Sequence, residues 1–342
     1  MLLSIIIFYL AVSLVFYVLF GGADFGAGIL DMITRKSYRS HIGDAIGPVW
    51  EANHIWLILV VVILFMGFPR IYAVLSLYLH IPILLLLIGI ILRGTAFTYM
   101  HYDAIQDRSV IFYDWIFKVS SVLAPMFLGV IVGASMLGRI NPDAASFFEA
   151  FIAPWFNGFS FAVGLFTICL FTFLAAVFMI GETDNKSLRQ AFVSIVKRIQ
   201  VAMVLSGLLI FIAGYFYDFP LFSMFFNSVP ALLCVLFATV SLPALWYFLE
   251  RSKSLIPRFI AGVQIVFIMS GWFLIQFPDI IRIQGSEDNL SLVNTAAPDS
   301  TLLQLSIALI VGSCIILPSL YYLMKTFKGE QFRNSSSNQT TN

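Results

Sequence analysis

Residues 2–20 read LLSIIIFYLAVSLVFYVLF, and residues 21–28 continue as GGADFGAG. The first run carries no charge and matches the roughly 20 apolar residues that cross a bilayer as a helix. It is continuous and not alternating, which argues against a strand of a transmembrane barrel. No basic leader precedes it and no convincing small-residue cleavage site follows. It therefore reads as a retained first membrane helix, not a removed signal peptide. The second stretch keeps helical spacing past the apolar run, so the helix is expected to continue to about residue 33.

The rest of the chain repeats this pattern. Of 342 residues, 60% are hydrophobic and 11% charged, with a mean hydropathy of +0.96. Soluble domains carry about 25% charged residues. The balance excludes a cytoplasmic enzyme, a nucleic-acid binder and a disordered chain. Cys169, Cys234 and Cys314 all lie inside apolar runs and form no CxxC pair, so neither a disulfide framework nor a zinc site is indicated. The expected fold is all-α and polytopic. Spans are expected at roughly 2–20, 49–68, 72–98, 114–137, 157–181, 199–217, 229–249, 258–277 and 301–324. Residues 1–329 read as one integral membrane domain, and 330–342, ending NSSSNQTTN, as a disordered cytoplasmic tail.

Basic residues set the orientation. With the N-terminus outside, only Arg70, Arg139 and Arg282 fall on the outer side, and the rest of the 19 Lys and Arg fall at the inner side. The bias predicts an N-out, C-in chain and requires an odd number of crossings.

Ionisable groups inside spans are rare and are functional candidates. Asp24, Gly28 and Asp31 stand at i, i+4 and i+7, which puts both carboxylates on one helix face, roughly 10 Å apart along the axis. Gly22 and Gly26 make a small-xxx-small spacing that lets another backbone approach. The second span opens Pro48-Val49-Trp50-Glu51-Ala52-Asn53-His54-Ile55-Trp56, where Glu51 and His54 can touch. A carboxylate beside an imidazole can relay protons. The third span ends Arg93-Gly94-Thr95-Ala96-Phe97. With alternating directions, Asp24, Glu51 and Arg93 reach the same inner depth on three successive helices. Two readings stay open. Asp24, Asp31, Glu51, His54 and Arg93 form a proton entry, or they are boundary charges and a structural ion pair, with Trp50 and Trp56 as an interfacial belt. His41, His54, His80 and His101 form no pair at matched depth, so no haem or metal is expected in this chain.

Taken in order, these motifs make the chain similar to subunit II of the bacterial cytochrome bd-type quinol oxidases. The resemblance covers nearly the whole chain. It rests on Ala23–Gly28, on the Trp50-Glu51-Ala52-Asn53-His54-Ile55-Trp56 signature, and on Arg93–Phe97. It also rests on Asp114-Trp115-Ile116-Phe117 with Gly129, Gly133 and Gly138, and on the Leu290–Pro298 approach to the last span. Met100 stands where relatives often carry a second Arg. The resemblance implies nine helices as two four-helix bundles plus a peripheral helix, in the bacterial cell membrane. It implies a partner subunit I that holds haem b and haem d and oxidises quinol, and leaves room for a small accessory subunit and for bound membrane lipid or quinone. This chain would hold no haem, support assembly and form part of a cytosolic proton path. The competing class is an ion-coupled secondary transporter in which Asp24 and Glu51 bind the ion. A membrane cytochrome with two haems would need the paired histidines that are missing.

Overall fold

A computed structural model describes residues 1–34, 53–102, 109–180, 186–251, 255–285 and 289–339. Helix α1 spans Leu2–Ile33 and contains one π-helical turn, Tyr17–Gly21. It runs through the apolar segment and on through GGADFGAG, as its spacing predicts. It ends at Thr34, which turns extended (φ −96°, ψ 164°) while its N–H still bonds the Leu30 carbonyl at 3.0 Å. Burial changes along it. The N-terminal half has a partly exposed apolar side, whereas Gly22 and every residue from Asp24 to Asp31 are buried. The polar half of the helix therefore enters the centre of the bundle.

The next region departs from expectation. Helices α2 (Ile55–Gly67) and α3 (Pro69–Tyr78) meet at 115° around Phe68, and α4 follows as His80–Tyr102. The expected third span, 72–98, is thus broken at Leu79, and its long helix begins at His80. Two prolines account for this. Pro69 disfavours a helical conformation for Phe68, which sits at φ −138°, ψ 62°. Pro82 lacks an N–H and its ring crowds the carbonyl of Tyr78, so the α3 ladder cannot run on into α4. Of the expected second span, residues 49–52 lie outside the described residues.

Helices α5 (Ser109–Leu137), α6 (Phe147–Phe151), α7 (Gly158–Ile180) and α8 (Lys186–Phe216) follow. Helix α8 begins well before the expected span at 199. Leu188, Phe192 and Val196 lie at i, i+4 and i+8 and are buried, so this charged segment is an amphipathic extension and not a loop. Then come α9 (Leu221–Asn227), α10 (Val229–Arg251), α11 (Leu255–Gln276), a small antiparallel pair β1 (Asp279–Ile281) and β2 (Leu290–Ser291), and α12 (Asp299–Gln339). Helix α12 runs past residue 330, where the tail is expected to begin. Among the described residues, eight helices are long and apolar enough to cross a membrane, or nine if the bent α2–α3 pair is one crossing.

Helix α7 is the axle of the core. Phe171, Phe173, Leu174 and Ala176 on it are fully buried, and it packs on α1, α5 and α8. Helix α4 packs on α5, α10 on α11, and α1 also meets α2 and α12. The outer faces of α10 and α12 display Leu236, Phe237, Ile315 and Tyr321 to the surroundings, as a lipid-facing surface would. The close approach of α1 to α7 depends on Gly26. A Cβ there would lie 1.9 Å from the Phe171 carbonyl oxygen. Only a glycine lets the two backbones come this near, which is the role its GxxxG spacing suggests.

Candidate functional site

The approach of α1 to α5 also needs a glycine, because a Cβ on Gly28 would fall 2.1 Å from Ser121 Oγ. This contact puts the carboxylate face of α1 against α4 and α5. Arg93 of α4 reaches in with 1% of its surface exposed. Its Nη1 donates to Asp24 Oδ2 at 2.6 Å, and its Nη2 donates to Oδ1 at 2.7 Å and to the Asp24 carbonyl at 2.9 Å. Its Nε donates to Ser121 Oγ at 3.2 Å, and Ser121 in turn donates to the Phe117 carbonyl at 2.6 Å. The guanidinium lies between the rings of Phe25 and Phe117, 4.9 and 5.0 Å from their centroids. Four of its five N–H donors are thereby engaged.

This geometry decides what the pair can do. A fork of two parallel N–H···O bonds is the strongest arrangement for a buried charge pair. It ties Asp24 to Arg93 as a pair whose opposite charges balance locally. Removing either partner would strand the other in a dry interior, at a cost of about 3–5 kcal/mol.

A second pair lies further along the same face of α1. Lys118 Nζ of α5 is 3.2 Å from Asp31 Oδ2 and makes a closer contact with Asp114, four residues before it on α5. Lys118 and Ser121 are three apart, so the α5 face that supports Arg93 also carries this lysine. Asp24 and Asp31 do share a face, as their spacing predicts, but each meets its own cation.

His54 stands at the start of α2, its ring centroid 5.8 Å from Phe25 and 6.4 Å from Tyr17. It is thus brought beside the Asp24–Arg93 pair. Asn53 is helical and half-buried. Trp56 is buried, its ring 4.6 Å from Phe16, so it is a core residue and not part of an interfacial belt. Gly22 faces the ring of Phe171. Glu51 and Trp50 lie outside the described residues.

Four participants escape the sequence reading as site residues. Ser121 and Tyr17 look like ordinary residues of apolar helices. Lys118 with Asp114 could have been found from an i,i+4 acid–base pair just ahead of an apolar stretch. Among the described residues, no group of three or more His, Cys, Asp or Glu side chains is arranged to hold a metal ion.

The fold and site define a multi-pass helical membrane protein with one fully buried ion pair, Asp24–Arg93, and a second, partly exposed one at Lys118. The sequence pattern described as "Cytochrome bd terminal oxidase subunit II" matches residues 2–327, and the chain belongs to that family. It is accordingly a multi-pass protein of the bacterial membrane. It is 29% identical over 192 residues to cytochrome bd ubiquinol oxidase subunit 2 of Bacillus subtilis, covering 53% of this chain and 55% of that one. It is 26% identical over 130 residues to cytochrome bd-I ubiquinol oxidase subunit 2 of Escherichia coli K12, covering 37% and 34%. The chain thus spans about half the length of the first relative and a third of the second. Its fold is similar to a chain of the bd oxidase from Geobacillus thermodenitrificans, with a TM-score of 0.77 over 95% of this chain and 98% of that one, at 21% identity.

Proposed function

We propose that this chain is the haem-free second subunit of a cytochrome bd-type oxidase, which oxidises quinol and reduces dioxygen to water. The partner subunit carries haem b, haem d and the quinol site. This chain supports assembly and contributes part of the path for protons taken from the cytosol. Its N-terminus lies outside and its C-terminus inside, with the bent α2–α3 pair as one of nine crossings in two four-helix bundles and a peripheral helix. The observation that carries the reading is the family match across residues 2–327. The carboxylates buried between α1, α4 and α5 add to it, since a membrane span holds such groups only at a cost.

Within that path the residues divide the work. Arg93 binds both carboxylate oxygens of Asp24 and balances its charge, so the pair fixes the helices without trapping a passing proton. Glu51, His54 and Asp31 are the groups that exchange protons along the row. A carboxylate serves this only if it can gain and lose a proton during turnover. The ion-coupled transporter is the weaker reading. Both oxygens of Asp24 already accept hydrogen bonds from Arg93, so the carboxylate is poorly placed to ligate a free cation.

The test is purification of the chain from its native membrane. A co-purifying haem-bearing chain, a Soret band in the complex and quinol-dependent oxygen uptake are expected. Purification without a haem partner, with no oxygen uptake in the membrane fraction that holds it, would refute the oxidase reading.

A further inference from the structure

Tyr17 is 1% exposed, and its Oη has no hydrogen-bond partner among the described residues. His54 Nδ1 is likewise buried without a partner. The two rings are neighbours, with centroids 6.4 Å apart. Both groups lie within Coulombic reach of Asp24 and Arg93. Two unpaired polar atoms thus belong to neighbouring rings close to the Asp24–Arg93 pair.

An unpaired buried polar group costs about 1–3 kcal/mol, and such groups are rare. A phenylalanine would fill the place of Tyr17 without that cost, and Phe16, Phe20 and Phe25 stand within the same helix. The helix is also shaped around this tyrosine. Tyr17 opens the π-helical turn Tyr17–Gly21, and its ring lies against the end of that turn, where a Cβ on Gly21 would meet Cε2 at 3.0 Å. Single π turns inside α-helices recur at functional sites. A buried water satisfies such groups when it finds two or more polar partners.

We propose that Tyr17 Oη and His54 Nδ1 hold one ordered water between them, and that His54 exchanges protons with this water as part of the proton path, with Tyr17 as its positioning residue. This rests on the oxidase reading above. The chemistry is a single proton exchange. A protonated water gives its proton to Nδ1, one O–H bond breaking as one N–H bond forms. The imidazolium later returns it to the water, so no other bond changes. The hydroxyl of Tyr17 fixes the water's position and itself gains and loses nothing. Arg93 cancels the charge of Asp24, so no bare carboxylate traps the imidazolium.

The test uses the assembled complex carrying Tyr17→Phe or His54→Gln. Tyr17→Phe removes only the hydroxyl, and His54→Gln keeps an amide that binds water but carries no proton. Turnover per haem is expected to fall in both, on the order of tenfold. The solvent deuterium isotope effect on oxygen uptake should rise in Tyr17→Phe while haem content and thermal midpoint hold. Unchanged turnover with an unchanged isotope effect in Tyr17→Phe would overturn the proposal, most clearly if the thermal midpoint rises as for relief of a dry, unpaired hydroxyl. Loss of assembly in Tyr17→Phe would overturn it too, making the hydroxyl a packing requirement. If the unaltered complex shows no quinol-dependent oxygen uptake, the oxidase reading itself fails. That result is distinct from an active parent with an indifferent variant.

Discussion

The guanidinium of Arg93 covers both carboxylate oxygens of Asp24, at 2.6 and 2.7 Å, across 69 residues of chain. The contact ties α1 to α4 in a buried region where the guanidinium also lies over the rings of Phe25 and Phe117. Substituting Asp24→Asn removes the countercharge and leaves Arg93 buried and uncompensated. The expected loss is about 3–5 kcal/mol, seen as a lower thermal midpoint and less assembled complex. Arg93→Lys should lose much of the same stability, because an ammonium cannot reproduce the two-pronged contact. A wild-type midpoint in both variants would show that the pair contributes nothing to the fold.

The Lys118 cluster should respond asymmetrically. Lys118 faces both Asp31 and Asp114. Lys118→Met removes the cation that both carboxylates share, and should cost about 2 kcal/mol, since Asp114 is partly exposed to solvent. Asp31→Asn leaves Lys118 still paired with Asp114, and should cost about 1 kcal/mol. Thermal melts of the two variants side by side decide it. A larger effect from Asp31→Asn would contradict the shared-cation arrangement.

Gly26→Ala should separate α1 from α7, since its Cβ would stand 1.9 Å from the Phe171 carbonyl and backbone cannot move aside cheaply. The chain is expected to fail to accumulate in the membrane. Gly262→Ala is the control, because nothing lies within 4 Å of a Cβ at that position. Equal membrane levels of the two variants would rule out the close contact.

Glu51 is expected to exchange protons. Glu51→Gln should lower turnover per haem in an assembled complex, and Glu51→Asp should retain much of it, because the shorter side chain still titrates. Assembly measured on the same sample separates this from a structural loss, in which haem content and activity fall together. Full turnover in Glu51→Gln would remove it from the path.

Topology gives the last test. A reporter fused after Arg333 should be active in the cytoplasm if the basic bias holds and the bent α2–α3 pair crosses the membrane once. External activity at that position would mean an even number of crossings.

The sequence by itself determined the class of fold and most of the spans. Hydropathy is local and additive, so a run such as residues 2–20 or 158–180 declares itself whatever it packs against. The common depth of Asp24 and Arg93 was legible for the same reason, since counting residues along alternating helices places them. The family was legible too, through residues that stand in a fixed order along the chain. Tertiary structure decided the rest. It chose Arg93 for Asp24 and Lys118 for Asp31, although both acids share one face and both cations stand nearby. It put Trp56 in the core, broke the chain at Leu79, and drew the charged residues 186–198 into a helix. It also brought Tyr17 beside His54. These outcomes depend on the rotation of each helix about its axis and on how near two backbones can come. A π turn at Tyr17–Gly21 changes the rotation, and glycines at 26 and 28 set the approach. Their effect appears only when a second helix is present to be met.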